Sequence, residues 1–360
     1  MTPALVGELK KFLPADRILT DPVDCFAYAY DNSRRICPPD GVIFPVNIDE
    51  IRRVVELCNN HGVPLTPRGR GTGTSGGSLP EQGGIALSLE RMTRVVKIDP
   101  QNRVIVAEPG VINQSLQDVV KPFGYFWPPD PSSAAYSTIG GNLATSAGGP
   151  HAVKYGTTRD HVLGLKAVTG GGDVIRTGCY TTKGVVGYDL TRLLVGSEGT
   201  LAVIAEATLK LMPLPEFVGG VTAYYQDLKS CTEAIVAVMA LGQTPSALEF
   251  LDSGSLDLIR SRFSDIVPPG SQAMLMIEAD GTERDVAETC TAILSACQNE
   301  GLIVGGITEN PAVLWRARKT LSPLLRDIAP KKINEDVVVP VSMLPRFLEE
   351  VSSLSREFQV

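Results

Sequence analysis

Histidine is scarce in this chain, and its cysteines are not arranged in pairs. Among 360 residues there are three histidines, His61, His151 and His161, and no two stand at a spacing that would share a metal. The seven cysteines, Cys25, Cys37, Cys58, Cys179, Cys231, Cys290 and Cys297, are odd in number and scattered, with no Cys-x-x-Cys pair. That pattern argues against zinc or iron–sulfur ligation by this chain; no metal site is expected, and buried free thiols are the simpler reading. Long apolar runs are missing too. No stretch approaches the ~18 residues that cross a bilayer, and Lys10 and Lys11 break the N-terminal apolar pattern, which argues against a secretory leader. Basic runs are also lacking in a chain of net charge -7, so nucleic acid is a poor partner. A cytoplasmic protein is expected, with peripheral docking on a membrane complex left open.

What is present is a core-forming composition, 43% hydrophobic, in a chain long enough for two domains. Met1 to Thr20 reads as a short amphipathic helix with Leu5, Leu9 and Phe12 on one side, within an N-terminal segment 1–37. Val42-Ile43-Phe44 is an apolar strand. Asn47 with Glu50 three residues on is a helix N-terminus, Ile48, Ile51, Val54, Val55 and Cys58 recur at helical spacing, and Gly62 ends the helix. Val63 to Thr66 is expected as a strand entering a glycine-rich loop, and Ile85 to Leu87 as the next. Val104 to Ala107 is a strand followed by a short helix before Pro122. Leu163–Thr169 and Val174–Arg176 read as a hairpin turned by Gly170 to Asp173, and Leu201–Ala205 and Ala207–Leu211 as two further strands. Met212-Pro213-Leu214-Pro215 marks a domain border. Beyond it, strands at Val221–Tyr225 and Met274–Ala279 alternate with helices at Lys229–Leu241 and Asp285–Glu300, an α+β pattern.

Three segments carry chemistry. Pro67-Arg68-Gly69-Arg70-Gly71-Thr72-Gly73-Thr74-Ser75-Gly76-Gly77-Ser78 has the glycines that let a backbone approach a diphosphate and turn its amides inward. No Gly-Lys-Ser/Thr follows, so it is not a Walker loop, and the strand after it argues against a Rossmann fingerprint. Taken alone it could equally be a surface loop. A second small-residue segment, Ser137-Thr138-Ile139-Gly140-Gly141-Asn142-Leu143-Ala144-Thr145, and a third, Gly187-Tyr188-Asp189-Leu190 through Val195-Gly196-Ser197-Glu198-Gly199-Thr200-Leu201, shift that balance.

In that order the three segments resemble the FAD-binding domain of the vanillyl-alcohol-oxidase and PCMH superfamily, and within it the glycolate oxidase large subunit and D-lactate dehydrogenase branch. The likeness spans residues 20 to 350 or so. It implies an α+β fold, with a two-subdomain PCMH-type FAD-binding domain over 38–215 and an incomplete, ferredoxin-like α+β cap domain over 216–360. It implies a diphosphate held by the loop from Arg68, through Gly69, Gly71, Thr72, Gly73, Gly76 and Gly77. Pro129 and Asp130, with Ser137, Ile139, Gly140, Gly141, Asn142 and Thr145, would wrap the ribityl chain and flavin, and Gly149, Tyr155 and Gly156 would complete that wall. Glu198, Gly199, Ala202, Val203 and Ile204 would lie by the adenine and diphosphate; Ala202 stands where the family usually has glycine. Relatives that tether FAD use a histidine in the loop. Ser75 to Leu79 has none and Cys179 is in the wrong context, so FAD is expected to be non-covalent.

The resemblance further implies that the cap binds substrate. Arg318, in Trp315-Arg316-Ala317-Arg318-Lys319, would hold a carboxylate bidentately, with Ser322 one helical turn on. Asn334, in Asn334-Glu335-Asp336-Val337-Val338-Val339-Pro340, would belong to a strand lining the pocket. The alternative for Arg318 is a solvated basic helix face. The implied reaction is oxidation of a glycolate- or D-lactate-type 2-hydroxy acid to the 2-oxo acid, with hydride to flavin N5 and electrons passed to an iron–sulfur partner subunit. The family takes its base and a metal site from an HxGDGNxH segment that this sequence lacks. Catalytic residues are therefore unassigned, the three histidines being read as structural or poorly placed, and the chain, ending soon after the expected helix Leu344–Phe358, is read as C-terminally truncated. Two alternatives follow: a catalytically silent FAD-binding or electron-relay subunit, and a PCMH enzyme acting on an alcohol or nucleotide sugar.

Overall fold

The computed structural model describes residues 1–360 apart from 261–266, 309, 313–314, 316–317, 319–320, 322–323, 326–335 and 359–360. The chain divides into two compact units: 1–149 with 156–214, and 150–155 with 215–360.

The first unit opens with helix α1 (Pro3–Leu9), capped by Thr2 and burying Leu5 and Leu9. The helix is shorter than its apolar spacing predicts. Leu13 continues the buried face from a turn, Pro14 ends it, and Ile18–Leu19 instead forms strand β1. Strand β2 (Gly41–Ile43) leads to α2 (Ile48–His61), where Asn47 accepts the Glu50 amide and Gly62, at φ 62°, closes the helix. The Val63 amide donates to the Cys58 carbonyl, so residue 63 belongs to the helix cap. The predicted strand accordingly begins later, as β3 (Leu65–Arg68). With β4 (Ile85–Ser88) these strands order β1-β2-β4-β3, and the last three are parallel.

A second sheet combines β5 (Val95–Asp99), β6 (Val104–Ala107), β7 (Val162–Thr169), β8 (Val174–Gly178) and β9 (Ala202–Lys210) in the antiparallel order β5-β6-β9-β7-β8. The two strands expected at 201–211 are one. A register shift between Ile204 and Glu206 breaks the alternation, which makes a single bulged strand read as two. Strand β9 is buried on both faces. Ala202, Ile204, Ala207 and Leu209 join one core with Trp127 and with α3 (Asn113–Val120) and α4 (Ile139–Thr145), while Val203 and Ala205 join the core beneath α2.

The second unit runs β10 (Phe217–Tyr225), α5 (Leu228–Met239), β11 (Ala247–Leu251), α6 (Ser253–Arg260), β12 (Ala273–Gly281), α7 (Glu283–Ala296), β13 (Leu302–Thr308) and α8 (Leu344–Phe358). Its antiparallel sheet orders β11-β12-β10-β13, which with the chain order is the split β-α-β arrangement of ferredoxin-like folds. Helices α5 and α7 cover one face. Strands β11 and β13 lacked a clear signature in the sequence, their alternation being diluted by Glu249 and by Gly305-Gly306. The strand expected at 334–340 is not formed by its described part. Asp336 to Pro340 has no ladder, and Val338 is 95% exposed. No described helix is long and apolar enough to cross a membrane.

Candidate functional site: a glycine-lined cleft and a charged sheet face

The first unit holds a cleft open to solvent, with about 1040 Å³ of space between its walls once the open mouth is included. All three glycine-bearing segments line it. The loop after β3 and the start of α4 meet because neither has bulk. A Cβ on Gly69 would stand 2.6 Å from Thr138 Oγ1, and one on Gly140 would stand 2.6 Å from Pro109 Cβ. The third segment closes α4: the amides of Gly196 and Glu198 donate to the Leu143 and Ala144 carbonyls, with Glu198 itself at φ 51°. There the Glu198 carboxylate accepts from Ser75 Oγ at 3.4 Å.

The loop's backbone polarity is one-sided. The carbonyls of Gly71 and Gly73 both accept the Asn32 amide, and that of Gly76 accepts Leu79. The amides of Gly71, Thr72, Gly73, Gly76 and Gly77 donate to no acceptor among the described residues. Donors left over in this way suit an anionic ligand. By contrast, the amides of Ile139, Gly140 and Gly141 are engaged by Val111, Pro109 and Thr138, so the start of α4 offers a flat wall rather than free donors. On that wall Asn142, 3% exposed, buries an Nδ2 that has no hydrogen-bond partner among the described residues.

Of the residues expected to hold a cofactor, Arg68, Gly69, Gly71, Thr72, Gly73, Gly77, Gly140, Gly141, Asn142, Thr145, Glu198, Gly199, Ala202, Val203 and Ile204 line the cleft. Gly76 lines a neighbouring hollow with Pro64 and Leu79. Ser137 and Ile139 are buried, as is Pro129, whose carbonyl accepts from Asn113 Nδ2. Asp130 fills the space a Cβ on Gly149 would need, and Gly156 packs on Asp160 at φ 83°. Tyr155 belongs to the second unit, where it donates to Asp280 at 2.7 Å. The cleft also takes Asp31, Ser78, Pro109 and Thr138. Thr138 caps helix α4, which forms where the sequence suggested only an irregular small-residue segment; Asp31, 37 residues before Arg68, carried no signal.

In the second unit the face of the sheet opposite α5 and α7 carries Glu249, Glu278 and Asp280. Arg318 Nε donates to Glu249 Oε2 at 3.0 Å. Glu278, 7% exposed at its side chain, meets His151 Nε2 at 3.1 Å and accepts from Trp315 Nε1. Asp280 pairs with Lys154 besides Tyr155. Desolvation, followed by the bond to Asp280, raises the Tyr155 pKa. Ser322 and Asn334 lie outside the described residues. His61, on α2, meets Glu8, and no group of acidic, histidine and cysteine side chains among the described residues could hold a metal.

Comparison with known proteins bears on both units. Residues 39–178 match the FAD binding domain family, and residues 214–360 match the FAD linked oxidases, C-terminal domain. The glycolate oxidase subunit GlcD of Bacillus subtilis (strain 168) is 37% identical over 337 residues, 92% of this chain and 72% of that protein. The chain belongs to the FAD-linked oxidases. The D-lactate dehydrogenase of Anaerostipes hadrus is 31% identical across 99% of the chain and 77% of its own length. The D-2-hydroxyglutarate dehydrogenase of Stutzerimonas stutzeri (strain A1501) has the same identity and coverage. Among solved structures, an alkyldihydroxyacetonephosphate synthase superposes with a TM-score of 0.81 at 20% identity, covering 99% of this chain and 76% of that one. A p-cresol methylhydroxylase gives 0.71 at 18% identity, covering 89% and 70%; both show the fold. This member of the FAD-linked oxidases is an FAD-dependent oxidoreductase, and the cleft fits its cofactor. Among the described residues its loop amides and the buried Asn142 Nδ2 have no acceptor, and a Cβ at Gly69 or Gly140 would strike Thr138 or Pro109, which line the cleft.

Proposed function

We propose that this FAD-linked oxidase converts a glycolate- or D-lactate-type 2-hydroxy acid to the 2-oxo acid and passes the electrons to a separate acceptor. The observation that carries the cofactor half is the run of unengaged amides from Gly71 to Gly77. These would hold the FAD diphosphate, with the Glu198 carboxylate suited to accept from the hydroxyls of a sugar. Asn142, with Gly140 and Gly141, would line the flavin end. Non-covalent binding follows from the lack of a histidine between Ser75 and Leu79. Bound FAD supplies a two-electron acceptor. Arg318, its fork oriented by Glu249, would bind the substrate carboxylate. The relatives named for glycolate, D-lactate and D-2-hydroxyglutarate favour the substrate class, and the family resemblance points to an iron–sulfur subunit as acceptor.

Anaerobic addition of D-lactate or glycolate to the FAD-loaded protein tests this reading. Bleaching of the oxidised-flavin absorbance, with 2-oxo acid formed in equal amount, is the expected result. A protein that stays yellow with every 2-hydroxy acid tried, D-2-hydroxyglutarate included, would refute it.

A further inference from the structure

Arg68 borders the cleft, yet its guanidinium is turned into the protein. Residue 68 is 6% exposed. Its Nη2 donates to the Tyr30 carbonyl at 2.6 Å, and its Nη1 lies 3.4 Å from both the carbonyl and the Oγ of Ser78. Ser78 Oγ donates in turn to Asp31 Oδ2 at 3.2 Å, and Asp31 Oδ1 accepts the Ser33 amide. Between those anchors the Asn32 amide reaches back to the Gly71 and Gly73 carbonyls at 3.1 Å each. Gly71, at φ 63°, passes so close over the guanidinium that a Cβ there would strike it. One side chain thus spans the base of the loop, tying its first residue to its last and to the Tyr30–Asn32 segment. That segment holds the loop carbonyls to one side.

We propose that Arg68 is a positioning residue that sets the direction of the loop amides, and that it does not itself ligate the dinucleotide. The inference rests on the cofactor reading above. A planar fork with donors on two nitrogens can meet the Tyr30 carbonyl and Ser78 together, whereas a lysine offers one point of charge. An Arg68→Lys variant therefore keeps the charge and loses the tie. FAD should dissociate from it about ten- to a hundredfold more readily, as expected for losing charge-assisted hydrogen bonds, read from the regain of flavin fluorescence. The salt dependence of FAD binding should match wild type. In the apoprotein, hydrogen exchange of the peptide carrying Asn32 should quicken, a readout that needs no cofactor. Ser78→Ala should act in the same direction, and the double variant should be little worse than the weaker single one. Arg68→Lys with wild-type FAD retention and a protected Asn32 would overturn the proposal. So would FAD loss with Asn32 still protected and a reduced salt dependence in Arg68→Ala, the behaviour of a direct phosphate ligand. Should Arg68→Lys fail to fold, Ser78→Ala alone decides through the same two readouts. If wild-type protein binds no FAD at all, the cofactor reading fails first, whereas Asn32 exchange still reports on the strut.

Discussion

The two units present chemistry in opposite ways. The first builds its cleft from backbone and from missing side chains: glycines at the contacts with Thr138 and Pro109, and amides with no acceptor among the described residues. The second builds a charged sheet face from side-chain pairs, Arg318 with Glu249, His151 with Glu278, and Lys154 with Asp280. A site of the first kind is damaged by adding atoms, and one of the second kind by removing them. The largest predicted effect follows directly. Gly140→Ala places a methyl against Pro109 Cβ and the Pro109 carbonyl, where backbone must move, an overpacking cost of about 1–3 kcal/mol. Both thermal stability and FAD retention should fall. Gly73→Ala meets nothing within 4 Å in the protein. It should melt as wild type and lose FAD affinity alone, measured by fluorescence titration. Equal melting temperatures for the two variants, or wild-type FAD affinity in Gly73→Ala, would break the contrast.

Arg318 is the next test, because the second unit should tolerate backbone changes better than changes of charge. If Arg318 binds the substrate carboxylate, Arg318→Ala should lower kcat/KM for the hydroxy acid by about a hundredfold, the worth of a charge-assisted bidentate contact. The change should fall mainly on KM, with FAD content unchanged. Arg318→Lys should recover only part of it. Unaltered KM in both variants would return Arg318 to a purely structural partner of Glu249.

Glu278 gives a smaller effect, read as stability. Its carboxylate is shared by His151 and the Trp315 indole. Glu278→Ala leaves both without that acceptor, and with His151 partly open to water the cost should be about 2 kcal/mol. Trp127 lies in the first unit and Trp315 in the second, so fluorescence melts of Trp127→Phe and Trp315→Phe backgrounds separate the two. The loss should appear in the melt reported by Trp315.

The same contrast explains what could be read from the sequence. The cleft was legible because small residues in runs, as in Gly69–Gly77 and Ile139–Thr145, have few other physical uses, and their order along the chain identified the family. The capped helix Ile48–His61 and the hairpin at Val162–Gly178 were legible because cap, period and turn agreed locally. Asp31 and Glu249 were not. Asp31 acquires its role from Ser78, 47 positions on, and Glu249 from Arg318, 69 on, and nothing in a lone carboxylate announces which donor it will meet. Arg68 was legible as part of the loop but not in its direction, since the chemistry of arginine suits a phosphate and a carbonyl alike. The merged strand Ala202–Lys210 was obscured by its own bulge.

The cysteines carry the mildest prediction, and one on which the two units should agree. Cys58, on α2, and Cys231, on α5, are both pushed up to about 12 by burial, from an ordinary value of 9.0. Below pH 9 these thiols are protonated in folded and unfolded chain alike, and their contribution is fully present. Between about pH 9 and 12 the unfolded chain ionises while the folded one cannot, so stability is lost as the pH rises. Melting temperature should therefore decline over that interval for both tryptophan reporters. Cys58→Ala should flatten the decline only in the melt reported by Trp127. Burial also decides reactivity, because the thiolate is the nucleophile. Cys179 is exposed and Cys37 half-buried, while Cys25, Cys58, Cys231, Cys290 and Cys297 are buried. An aromatic disulfide reagent should label Cys179 quickly and Cys37 slowly in the native protein, and the buried thiols only once the chain unfolds. Rapid labelling at Cys231 or Cys58 would show that one of these cores opens far more readily than its packing implies.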